Sequence, residues 1–70
     1  LLREVVSSSS LRSIGYDART RTLEVEFASG SVYRYGPVPG EVWSALRRAD
    51  SKGKYFQEFV RDRFDPERVG

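Results

Sequence analysis

From Thr22 to Phe27 the chain alternates, with Leu23, Val25 and Phe27 on one face of an extended segment and Thr22, Glu24 and Glu26 on the other. A period of two is the signature of a half-buried β-strand. Leu11 to Tyr16 and Ser31 to Tyr35 read as further strands on either side of it. Asp17-Ala18-Arg19-Thr20 supplies the first turn, and Ala28-Ser29-Gly30 the second, with glycine where a positive φ is wanted. Gly36-Pro37-Val38-Pro39-Gly40 then breaks the pattern, and the period changes. Val42, Ala45, Leu46 and Ala49 recur at i, i+3, i+4 and i+7, the stripe of an amphipathic helix. Pro39 stands near its start and Glu41 in its first turn, where the helix dipole favours an acid. Asp50-Ser51 offers an N-cap for a second helix, with Tyr55, Phe56, Phe59 and Val60 expected on its inner side. The predicted fold is α+β: a three-stranded antiparallel meander followed by two helices packed on one face, in the order β-β-β-α-α. Residues 1–10 form an opening segment, partly loop, in which Leu1, Leu2, Val5 and Val6 can pack and Ser7 to Ser10 make a polar run. A single domain fills 11–64. Pro66 is expected to end regular structure, leaving 65–70 as a C-terminal tail.

The second turn decides which way Tyr33 and Tyr35 face. A three-residue loop pairs Leu23 with Tyr35 and Val25 with Tyr33, sends both rings into the core, and sets Glu24 opposite Arg34 outside. A two-residue loop shifts the register by one and turns both rings outward as a stacking platform for bases. The first register joins apolar to apolar and acid to base, so it is favoured, and the tyrosines then close a small core with their hydroxyls at its edge.

Several short motifs run in order through most of the chain: Ile14-Gly15-Tyr16, Leu23-x-Val25-x-Phe27, Gly30, Tyr33-x-Tyr35, Val38-Pro39 and Ala49-x-Ser51-x-Gly53-x-Tyr55-Phe56. Together they resemble the KTSC domain, a short module found at the C terminus of some lysyl-tRNA synthetases and as a free-standing small protein. The resemblance supports the fold, and through the synthetase attachment it implies an RNA-binding role. It carries over no catalytic residue and no cofactor.

Seventy residues leave no room for a second core, and the chain has neither cysteine nor histidine. Disulfides and the usual zinc sites are therefore absent, so stability must come from the apolar residues, which make up 39% of the chain, or from self-association. No run approaches the ~20 apolar residues of a membrane helix. No membrane is expected as a partner, and the cytoplasm is the expected location. Because Leu1 is not a methionine, the chain can also be part of a longer protein. Net charge +2 and a pI near 9.3 tilt basic without making a nucleic-acid signature.

Catalysis is not expected. Ser7 to Ser10 lack a histidine base, and Glu24 and Glu26 read as a solvated sheet face. Asp62, Asp65 and Glu67 lack the glycine and spacing of a calcium loop, and Gly53-Lys54 lacks the rest of a phosphate-binding loop. No metal or other cofactor is implied. The best candidate site is the basic stretch Arg47, Arg48, Ser51, Lys52, Gly53 and Lys54. Arg47 and Arg48 close the first helix, where the dipole favours cations, whereas Lys52 and Lys54 fall in the first turn of the second, where it does not. With Gly53 permitting close approach to free backbone N–H groups, that helix start suits a phosphate or another anion, although exposed lysines there cost only a few tenths of a kcal/mol. Trp43, one position off the helix stripe, either caps the core edge or anchors a partner. Three readings remain open: a module binding RNA (tRNA or single-stranded) through phosphates, a protein-interaction or self-associating module, and a small-anion binder.

Overall fold

The computed structural model describes residues 1–70. Three strands form where the alternation predicts them: β2 (Leu11–Asp17), β3 (Thr22–Phe27) and β4 (Val32–Gly36). Two helices follow, α1 (Gly40–Arg48) and α2 (Lys52–Phe59). The sheet, however, has five strands and not three. β1 (Arg3–Val5) and β5 (Asp65–Arg68) add one strand at each edge, within the segments expected to be loop and tail, and all neighbours pair antiparallel in the order β1-β2-β3-β4-β5.

Both additions have a physical reason. Every residue of β1 and β5 is exposed, so neither carries the alternation that marks a half-buried strand. Pro66 sits inside β5 opposite Tyr35, and its missing N–H is tolerated because an edge strand needs partners on one side only. The last residues do not fray: Val69 N–H donates to Val32 C=O (2.8 Å) and Val32 N–H to Gly70 C=O (3.0 Å).

The β3–β4 register is the one set by a three-residue loop: Leu23 pairs with Tyr35, Glu24 with Arg34 and Val25 with Tyr33. Gly30 takes φ +98° in that turn, a value open to glycine at no steric cost. In β2 a bulge between Leu11 and Ser13 lets Leu11 and Ile14, three residues apart, both point inward.

The buried face brings Leu11, Ile14, Leu23, Val25 and Tyr35 against Val38, Leu46, Phe56 and Val60, with both helices on that one side. Leu46 is the buried residue of α1 and Phe56 that of α2. Phe59 departs from its expected inward position. α2 ends there, and the ring is 41% exposed, packed on Tyr55 at 4.7 Å with the Arg63 guanidinium over it. Val60, just past the last turn, is fully buried, as expected.

The outer face is polar and ordered by charge. Glu24 lies between Arg34 (2.7 Å) and Arg3 (3.4 Å), and although it carries a carboxylate it is buried. Arg3 reaches it across Gly15, its cross-strand neighbour, which presents no side chain. The same face holds Ser13, whose hydroxyl donates to Glu26 (2.9 Å).

Candidate functional site

α1 ends at Arg48, and α2 begins at Lys52 with Ser51 as its N-cap. The Ser51 hydroxyl accepts from Lys54 N–H (3.3 Å), which places Lys54 in the first turn, as its spacing predicts. The first internal bond of α2 runs from Tyr55 N–H to Ser51 C=O (3.0 Å). The N–H groups of Lys52 and Gly53 precede it and have no acceptor within the chain, which is the ordinary condition of a helix start. No acidic residue occupies that turn.

The four cations of this stretch do different work. Lys52 donates its ammonium back to Ala49 C=O (3.0 Å), the C-cap of α1. Its charge thus serves the negative pole of the first helix as well as opposing the positive pole of the second, which sequence spacing alone did not reveal. Arg47 is also engaged. Its Nε and Nη2 donate to the two carboxylate oxygens of Glu4 in β1 (2.8 and 3.2 Å), and its guanidinium covers the Trp43 ring at 5.4 Å. Arg48 and Lys54 are exposed and have no acidic partner, so they are the free cations of the junction.

The serine run, read as a plain loop, belongs to the same neighbourhood. Ser8 Oγ accepts from the N–H groups of Ser10 and Leu11 (3.2 and 3.3 Å), which fixes the turn. A side chain at Gly53 would meet Ser10 Oγ at 3.1 Å and Ser8 Oγ at 3.5 Å, so the run abuts the start of α2. No local motif announces this, because Ser8 and Gly53 meet only once the sheet has formed.

Trp43 is half-buried. It stacks on Tyr16 at 5.5 Å with the planes 13° apart, and the Tyr16 hydroxyl donates to Val38 C=O. With Arg47 on the ring as well, Trp43 caps the core edge. Tyr33 and Tyr35 face the helix side and make no outward stacking platform. Tyr35 is only 5% exposed, and the two rings form a cluster with Phe27 and Phe56 at centroid distances of 5.3–6.4 Å.

The Glu4–Arg47 pair ties α1 to the β1 edge and is expected to make that edge sensitive to acid. The hydrogen bond from Arg47 holds the Glu4 carboxyl below its usual range. Folding therefore favours the ionised form, and the contribution of the pair is complete above that range and lost as pH falls through the lowered value. Protection of the Glu4 and Val6 amides, the ones that face β2, against exchange is expected to drop on acidification in the wild type. In Glu4→Gln it should be lower at neutral pH and depend less on pH, while Arg3 of the same strand still pairs with Glu24.

No helix is long and apolar enough to cross a membrane. A family model described as the KTSC domain matches residues 7–64. A protein of Stutzerimonas stutzeri is 55% identical over 56 residues, covering 80% of this chain and 79% of that one. A lysine–tRNA ligase of Nostoc punctiforme is 41% identical over 61 residues, covering 87% of this chain but only 11% of the ligase. Among solved structures, the crystal structure of a KTSC domain protein from Yersinia pestis superposes with a TM-score of 0.96 at 36% identity, over 99% of this chain and 97% of that one.

Proposed function

This chain belongs to the KTSC domain family, and from that premise we propose that it is a non-catalytic module that binds RNA through phosphate contacts at the α1–α2 junction. The observation that carries the reading is the pair of free cations, Arg48 and Lys54, beside a helix start whose first two N–H groups are unused. A lysine against the positive end of a helix is slightly unfavourable alone, and a phosphate placed there reverses the sign. The related segment in lysine–tRNA ligases lends support, since those proteins by name act on a tRNA. Lys52, Ser51 and Gly53 shape the site, while Arg47 is held by Glu4. Trp43, packed under Arg47, lends no support to the protein-interaction reading.

Titration against a tRNA and a single-stranded oligomer at about 50 and 200 mM salt tests the proposal. Binding should weaken with a log–log slope of about −0.7 per phosphate contact on single strands. Arg48→Gln and Lys54→Gln are each expected to make the slope shallower by about 0.7, because each removes one counterion-releasing contact. Absence of binding in dilute buffer, or slopes unmoved by both substitutions, would end this reading.

A further inference from the structure

On the helix side of the sheet the aromatic cluster does not close completely. Phe27, Tyr33, Tyr35 and Phe56, with Gln57, Arg61, Asp62 and Pro66, line an open groove of about 500 Å³, within the size range of small-molecule sites. Folding alone does not account for its polar groups. Tyr35 is 95% buried, yet its hydroxyl makes no hydrogen bond within the chain, in contrast to that of Tyr16. No fully buried polar atom lacks a partner, so the Tyr35 oxygen reaches solvent, and Tyr35 lines this groove. The Tyr33 hydroxyl is equally unengaged. Arg61 pairs with no carboxylate; its Nη1 donates to Gln57 Oε1 (2.8 Å). It also lies close enough to Tyr35 to counter part of the upward pull that burial exerts on that phenol.

We infer that this groove receives a single unstacked nucleobase. Aromatic walls suit a planar ring of limited thickness, and recognition of unstacked bases by ring contacts and edge hydrogen bonds is how single-stranded RNA is read. Arg61 and the Gln57 amide offer donors, the Asp62 carboxylate offers acceptors, and the phenols can do either, a mixed set that matches the donor and acceptor edge of a base. The groove also adjoins the junction described above. Lys54 and Gln57 are three residues apart on α2, which puts them on one side of the helix about 4.5 Å apart along its axis. This inference rests on the RNA reading for its biological ligand, but not for its test.

The test uses nucleosides, which carry no phosphate. Guanosine, uridine and adenosine are titrated into the intact protein at millimolar concentration while NMR follows Tyr33, Tyr35, Phe56 and Gln57. The expected result is saturable shifts at those residues with at least one of the three nucleosides. Tyr33→Phe and Tyr35→Phe should fold as well as the wild type, since each hydroxyl lacks an internal partner, and should each weaken nucleoside binding about two- to tenfold. Nucleosides that leave the groove unperturbed, or phenylalanine variants that bind as well as the wild type, overturn the inference. If RNA binds with the expected salt slope while nucleosides miss the groove, the groove inference alone fails. If nucleosides bind there while neither junction substitution moves the slope, the phosphate reading alone fails.

Discussion

Leu46→Ala is expected to cost about 3 kcal/mol and to lower the melting temperature by about 15–20 °C. Leu46 is fully buried and is the only residue of α1 that is, so truncating it removes the main apolar anchor of that helix on the sheet. The loss combines the transfer energy of the deleted atoms with a cavity that a small core cannot collapse around. A domain of this length has roughly 4–10 kcal/mol in all on the usual per-residue scale, so the variant stands near the folding threshold. Leu46→Met, which keeps the volume, should cost less than about 1.5 kcal/mol. Urea denaturation of the two variants checks the difference. A Leu46→Ala protein within about 1 kcal/mol of the wild type would mean that α1 is held by something other than this side chain.

The second large effect is expected at Gly15. A Cβ there would overlap the carbonyl oxygen of Leu2 and stand 2.7 Å from Leu1 Cδ2 and 2.9 Å from Arg3 Cγ. The first obstacle is backbone, so β1 must move if Gly15 becomes alanine. That movement pulls Arg3 away from Glu24, leaving a buried carboxylate with one partner where it had two. The expected cost is about 1–3 kcal/mol. Removing Leu1 and Leu2 takes away the overlapping carbonyl, so Gly15→Ala should be much milder in that background. Additive costs in the double variant would show that the constraint on Gly15 lies elsewhere. Gly15 and Leu46 are far apart in role: one keeps an edge strand close to the sheet, and the other fastens a helix to it.

What the sequence made legible follows from periodicity. Leu23, Val25 and Phe27 mark a strand, Val42, Ala45 and Leu46 mark a helix, and the Glu24–Arg34 and Val25–Tyr33 pairs fix the register between β3 and β4. Ser51 was readable as an N-cap because its chemistry is local. The two outer strands were not readable, because Arg3-Glu4-Val5 and Asp65-Pro66-Glu67-Arg68 bury nothing and so leave no pattern. At the candidate site, the position of Lys54 was legible and the task of Lys52 was not. The spacing shows that Lys52 precedes α2, but not that its ammonium turns back to Ala49. The Glu4–Arg47 pair spans 43 positions of sequence, and the groove collects residues from three strands and the end of a helix. Contacts of that kind arise from the fold as a whole and have no local signature.

The placement of Pro66 bears on how molecules of this protein meet one another. An unpaired strand at the rim of a sheet is a template on which a second chain can polymerise, and long, flat, apolar rims are the hazardous ones. Here one rim is only three residues long and begins Arg-Glu, and the other reads Asp-Pro-Glu-Arg. Charge on both rims, with a missing donor at Pro66, makes the β5 rim the poorer template of the two, so any edge-to-edge pairing between molecules is directed to the β1 rim, where Leu2 and Val5 are exposed.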